Sequence, residues 1–207
     1  MSMKQLELLY EGKSKQIYKT ESDSHVIVRF KDDATAFYNI KRAKIENKGR
    51  ITADISSMVL EYLNNNGVST HFVERVGDDG QLCRIVDHVD VEVIVRNVIA
   101  GSMAKRLGID EGIVPENTIF DLCLRNSELG DPLINDHHAV ALGAATYEEL
   151  AEVYDLTARI NKVLIDMFAQ VNIRLVDFKI EFGKTADGKI VLADEISPDT
   201  CRLWDTA

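Results

Sequence analysis

The chain has 207 residues, 45% of them hydrophobic and 28% charged, with a formal net charge of −10. That apolar content can bury a core without disulfide or metal staples, and the acidic balance excludes general nucleic-acid binding, which depends on Lys and Arg meeting phosphates, while leaving room for a local basic pocket that takes an anionic small molecule. Cys83, Cys123 and Cys201 are far apart and form no CxxC, the opening residues carry Glu7 and no long apolar stretch, and no run is long enough to span a membrane, so a soluble, cytoplasmic protein with reduced thiols is expected.

In chain order, the first third reads as short strands at 6–10, 15–19 and 25–30, separated by Glu11-Gly12-Lys13-Ser14 and by a turn at 20–24. A helix is predicted over 53–66, with Ile55, Met58, Val59, Tyr62 and Leu63 on one stripe and Gly67 supplying the left-handed end. Strands resume at 70–76 and 82–86 around a turn at Asp78-Asp79-Gly80-Gln81. Then come a strand at 91–98, a short helical stretch from Ser102 to Gly108, and a long helix over 147–170. For that helix Thr146 and Glu149 have capping-box spacing, and Leu150, Val153, Ile160, Val163, Leu164 and Phe168 recur at helical intervals. Two strand-like runs, 173–183 and 189–196, close the chain around a turn at Asp187-Gly188. Strands with segregated helices and no βαβ rhythm predict an α+β fold. Two lobes are expected, 1–87 and 88–207.

Several segments carry charge in patterns that suit chemistry. In Leu175-Val176-Asp177-Phe178-Lys179-Ile180-Glu181-Phe182, strand alternation sends Val176, Phe178, Ile180 and Phe182 to a core and Asp177, Lys179 and Glu181 to the other face. The following strand brings Asp194 and Glu195 nearby. Carboxylates around a lysine can hold Mg²⁺ by oxygen ligands while the lysine neutralises phosphate or carboxylate oxygens; a solvated face of cross-strand ion pairs is the alternative. At Arg96-Asn97-Val98-Ile99-Ala100-Gly101-Ser102 a strand gives way to a helix, a natural anion site where Arg96 could clamp a phosphate. The alternative there is plain N-capping by Ser102 with Arg96 paired to Glu92. Gly12-Lys13-Ser14-Lys15 could fold over phosphates but lacks Walker A spacing, and a surface turn is as compatible with it. Ser197-Pro198-Asp199-Thr200-Cys201-Arg202-Leu203-Trp204 reads either as a packed C-terminal turn or as a functional one. His137-His138 sits in a polar loop without the spacing of a zinc pair, and the histidines read as structural or solvated.

Taken in order, GKSK, DDATAF at 32–37, VEVIVRNVIAGS, LVDFKIEFG and ADEISPDTCRLWD resemble the SAICAR synthetase family over nearly the whole chain. The resemblance implies an α+β fold of two lobes with antiparallel sheets and a nucleotide cleft between them, similar to ATP-grasp enzymes and kinases. It implies ATP- and Mg²⁺-dependent condensation of a carboxyaminoimidazole ribonucleotide with L-aspartate, giving the succinocarboxamide, ADP and phosphate through an acyl phosphate. By the same resemblance Lys13 and Lys15 meet ATP phosphates, and the stretch from Arg84 to His88 carries the adenine contact. Glu181 and Asp194 ligate Mg²⁺. Arg96, Ser102 and Arg202 hold the ribonucleotide phosphate, Lys179 faces its carboxylate, and Asp177 and Asp199 take positioning roles. A homo-oligomer, with a dimer favoured, is expected. The chain departs from the family at Asp90, in place of a usual proline, at Tyr38-Asn39 and at Thr52-Ala53-Asp54. Family members continue past Arg202-Leu203-Trp204-Asp205 into further helical sequence, so a truncated or natural short form is expected. A small-molecule kinase with another acceptor and a nucleotide-binding regulatory module are the competing functions.

Overall fold

A computed structural model describes residues 3–36 and 41–207. Phe37, which ends the DDATAF motif, and the pair Tyr38-Asn39 lie outside the described residues. The elements run β1 Gln5–Glu11, β2 Lys15–Thr20, β3 His25–Phe30, β4 Asp33–Ala36, β5 Lys41–Lys44, α1 Lys48–Asn65, β6 Phe72–Val76, β7 Gly80–Arg84, β8 Asp87–Arg96, α2 Gly101–Leu107, β9 Ile119–Leu124, β10 Leu133–Ile134, α3 Asp136–Ala141, α4 Tyr147–Ala169, β11 Ile173–Lys184, β12 Ile190–Ala193 and β13 Cys201–Asp205. The class is α+β, as expected. One antiparallel sheet has the order β1-β2-β3-β7-β6, and a second runs β10-β9-β8-β11-β12 with β13 also paired to β11.

The main core lies where the second sheet meets α4 and one side of α1. Val91, Val93 and Val95 of β8 and Phe178, Ile180 and Phe182 of β11 face Leu150, Val153, Ile160 and Leu164 of α4 and Leu60 and Leu63 of α1. Period-2 burial on the strands meets 3.6-residue burial on the helices, so each element hides one face and leaves the other for chemistry. At the head of α4 the capping box forms as predicted: the Thr146 hydroxyl accepts from the Glu149 N–H, and Glu149 accepts from the Thr146 N–H. This satisfies two of the donors that a helix start leaves free.

The structure corrects several details. Helix α1 begins at Lys48 rather than near 53, because Asp32 Oδ1 accepts from the Gly49 N–H at 2.9 Å and ties down its first turn. Met58 is 56% exposed and does not belong to the buried stripe, which runs through Ala53, Ser56, Val59, Leu60 and Leu63. The hairpin between β6 and β7 turns at Gly77-Asp78-Asp79, one residue ahead of the expected turn; Gly77 takes the positive φ of 62° that the bend needs. His137 and His138 lie in the first turn of α3, and the His138 side chain closes a capping box with Asn135. The segment after Thr200 is no terminal turn but strand β13, antiparallel to β11. The last predicted strand stops at Ala193, because Asp194 adopts a left-handed φ of 63°.

Candidate active site

The two sheets face each other across a cavity of about 250 Å³ lined by Ile17, Val26, Val28 and Phe30 from the first sheet, by Arg84, Ile85, Val86 and His88, and by His71, Asp194 and Glu195. Its walls are mostly apolar, with charge gathered at one end, the composition that suits a flat heterocycle attached to a charged tail. Lys15, the first residue of β2, reaches across that end and pairs with both Asp194 and Glu195. Burial alone would raise the Asp194 carboxyl; the charge and hydrogen bond of Lys15, with the charge of Lys179, outweigh it and hold the group below the usual carboxylate range. Lys13 is exposed in the turn before β2 and does not line the cavity. Of the predicted phosphate-binding pair, only Lys15 is brought to it.

Next along the second sheet lies the predicted acid–base–acid row. Glu181 stands opposite Glu92 and Asp177 opposite Arg96 in the β11–β8 register, so all share one face. The Lys179 ammonium donates to Glu92 Oε2 at 2.8 Å and to Glu181 Oε1 at 2.7 Å. Burial works against its charge, but Glu181 and Glu92 prevail and raise the pKa above the ordinary lysine range. The same burial pushes the Glu92 carboxyl up, against the pull of Lys179.

At the far end guanidinium groups dominate. Arg96 Nε donates to Asp121 Oδ2 at 2.7 Å, Arg106 Nη2 donates to the same oxygen at 3.0 Å, and Arg202 Nη1 donates to Asp177 Oδ2 at 2.7 Å. Arg96 Nη1 lies 3.5 Å from Asp177, and its Nη2 donates to Ser102 Oγ at 3.4 Å. Arg96 therefore pairs with Asp121 and Asp177, not Glu92. Ser102 does not cap α2 either, since Ala100 is the N-cap and no side chain caps it. Gly101 has a φ of 57°, and a Cβ there would collide with the Arg202 guanidinium, so the β8–α2 turn admits that side chain only because residue 101 is glycine.

Asp199, in the turn before β13, pairs with Lys48 at the start of α1. Nothing in the local pattern marks Lys48, since its partner lies 151 residues away. His71, which no sequence motif singles out, lines the cavity, and burial pushes its pKa down to about 4. Cys83 and Cys123 are buried, Cys201 is partly so, and all three are free thiols. No helix among the described residues is long and apolar enough to cross a membrane.

Among the described residues no three His, Cys, Asp or Glu side chains form a ready metal cluster. A Mg²⁺ site rarely needs one, because this ion is commonly held by one or two carboxylates with water and substrate phosphates in its other positions. Glu181 pairs with Ala193 across β11 and β12, one residue before Asp194. In this patch Glu92, Glu181, Asp194 and Glu195 share two lysines. Hard oxygen donors and a surplus of negative charge fit Mg²⁺ bound in that mode.

A family model described as SAICAR synthetase matches residues 8–207. A phosphoribosylaminoimidazole-succinocarboxamide synthase of Clostridium perfringens is 56% identical over 201 residues, which are 97% of this chain and 85% of that protein. A protein of the same name from Clostridium beijerinckii is 57% identical over 203 residues, 98% of this chain and 86% of its own length. Among solved structures, the enzyme of that name from Ehrlichia chaffeensis superposes with a TM-score of 0.94 at 40% identity, covering 97% of this chain and 86% of the other. A SAICAR synthetase solved in complex with ADP superposes with a TM-score of 0.92 at 44% identity, covering 97% of this chain and 84% of the other.

Proposed function

This chain belongs to the SAICAR synthetase family, and on that premise we propose that it is the ATP-dependent ligase that joins 5-amino-1-(5-phosphoribosyl)imidazole-4-carboxylate to L-aspartate in purine biosynthesis, releasing ADP and phosphate. One observation carries the assignment of sites. A single face of the second sheet runs from the cavity end, at Asp194 and Glu195, through Lys179, to the guanidinium groups of Arg96 and Arg202. Such a face can gather in order three anionic groups from two of the reactants: the triphosphate of ATP, then the carboxylate and the phosphomonoester of the ribonucleotide.

In this reading ATP occupies the cavity, with its base against the stretch from Arg84 to His88 and its phosphates at Lys15. The complex of the 44%-identical relative with ADP supports nucleotide binding by a chain of this fold. Lys13, on the turn before Lys15, joins the phosphates only if that turn folds over them. Glu181 and Asp194 would hold Mg²⁺, which supplies charge neutralisation to the transferring phosphoryl group when bound. Lys179, kept protonated by its two carboxylates, faces the imidazole carboxylate. The carboxylate oxygen attacks the γ-phosphorus and ADP leaves. The aspartate amine then adds to the acyl phosphate, and phosphate departs with the C–O bond as the amide C–N bond forms and the amine loses its proton. Lys179 offers a fixed positive charge where that oxyanion develops. Arg96, Ser102 and Arg202 take the ribonucleotide phosphate, with Asp177 holding both guanidinium groups in place. Asp199 positions Lys48 at the start of α1. A division of labour between residues 1–87 for the nucleotide and 88–207 for substrate and metal follows, in a cytoplasmic homodimer.

The test is incubation with ATP, Mg²⁺, the ribonucleotide and L-aspartate, followed by mass detection. We expect a product carrying the aspartate mass less water. Phosphate transfer to the ribonucleotide without aspartate incorporation would support a small-molecule kinase, and nucleotide binding without turnover a regulatory module.

A further inference from the structure

Resting on the nucleotide and metal assignment above, we infer that His71 is a positioning residue that holds Asp194 in its left-handed conformation, and so aims the Asp194 and Glu195 carboxylates together into the cavity. In a regular strand adjacent side chains point to opposite faces. Continued extension of β12 would send one of these carboxylates away, yet both meet Lys15. The φ of 63° at Asp194 breaks the alternation. A non-glycine residue in that region is strained and persists only where its surroundings hold it.

The surroundings are specific. His71 Nε2 lies 3.2 Å from the Asp194 carbonyl oxygen. A carbonyl only accepts, so the ring donates from Nε2 and is held in that tautomer. The backbone around the ring is pinned to both sheets. The His71 N–H donates to the Leu192 carbonyl at 2.8 Å and the Leu192 N–H to the Ser69 carbonyl at 3.1 Å, while the Arg84 N–H donates to the His71 carbonyl at 2.8 Å. Thr70 forms an isolated parallel bridge with Leu192, and the Arg84 guanidinium donates to the Thr70 carbonyl. Residues 69–71 are thus a strut between β7 and β12, and the imidazole is the one side chain of that strut bonded to the strained residue.

The probe is Mn²⁺ with ADP, followed by electron paramagnetic resonance of free Mn²⁺, so that neither ribonucleotide nor turnover is needed. Glutamine can place an amide N–H near the position of Nε2, whereas asparagine is too short. His71→Gln should bind Mn²⁺–ADP within about threefold of the parent, and His71→Asn about tenfold more weakly, in the range seen when the partner of a metal ligand is lost. The KM for the ribonucleotide should stay unchanged in both. Equal, parent-like binding by the two variants would overturn the inference. Equal weakening would also overturn it, because the ring itself would then be the ligand contact. If the chain proves not to be a ligase but the Gln and Asn variants still separate, the assigned reaction fails while the role of His71 stands.

Discussion

Lys15 and Lys179 each meet two carboxylates, but the partners differ in origin. Glu92 and Glu181 sit on the same rigid sheet as Lys179, in neighbouring register positions. Lys15 belongs to the first sheet, and its partners Asp194 and Glu195 follow a strand of the second. Lys179 is therefore a pre-organised charge whose setting survives movement between the sheets. Lys15 is a tie across the cleft, and a nucleotide phosphate entering there must share or replace it. The contrast assigns chemistry at the imidazole carboxylate to Lys179 and coupling of nucleotide to the cleft to Lys15.

The largest effect is expected where the tie and the metal share a residue. Asp194→Asn keeps size and tolerates a left-handed backbone but removes a charged oxygen ligand, so turnover should fall by about 100-fold with the fold intact. Activity near the parent level at limiting Mg²⁺ would remove Asp194 from the ligand set. Lys179→Met comes next: it keeps the aliphatic stem and loses the charge, and kcat should fall by about 100-fold, the low end of what removal of one preorganised donor costs. Its melting temperature should also fall, because buried Glu92 and its neighbour Glu181 are left without their shared cation. A large fall in melting temperature with normal kcat would make the row a structural ion-pair network. Ser102→Ala should raise the KM for the ribonucleotide by about tenfold, the loss of one hydrogen bond to a charged group, and leave stability alone because no cap is lost.

The smallest effect is a pH dependence of stability. The His71 pKa is pushed down to about 4 from an ordinary 6.5, so the folded chain resists protonating this ring. Its contribution is complete above pH 6.5 and is lost as pH falls through about 4. Thermal unfolding from pH 7 to 4 should decline more steeply for the parent than for His71→Gln; identical slopes would show that the ring does not titrate abnormally.

Strand alternation made much of the second sheet legible in advance. Phe178, Ile180 and Phe182 join the main core and Asp177, Lys179 and Glu181 share the other face, because a period of two needs only local sequence. The alternation fails at Val176, which packs with Val98 and Ala100 in a separate cluster while Leu175 joins the main core, across the irregularity between Leu175 and Asp177. The Thr146 capping box is equally local. What stayed hidden depends on distance in sequence or on a single dihedral. The Lys48–Asp199 pair joins residues 151 positions apart, and the Arg96 partner Asp121 comes from a strand the pattern did not suggest. Asp194 turns left-handed where the run KIVLADEI reads as an unbroken strand. The specific assignment of Arg202 to a phosphate site came from the family resemblance, since a packed turn explained the segment equally well.

The most direct test of the contrast is to titrate ATP–Mg²⁺ and the ribonucleotide separately into Arg96→Lys and Asp194→Asn by calorimetry. An ammonium cannot reproduce the planar fork that Arg96 offers a phosphate. Arg96→Lys should weaken the ribonucleotide by about tenfold and leave ATP–Mg²⁺ unchanged, and Asp194→Asn should do the reverse. Both variants weakening both ligands equally would mean that the two regions are not separate sites, and the account would fail.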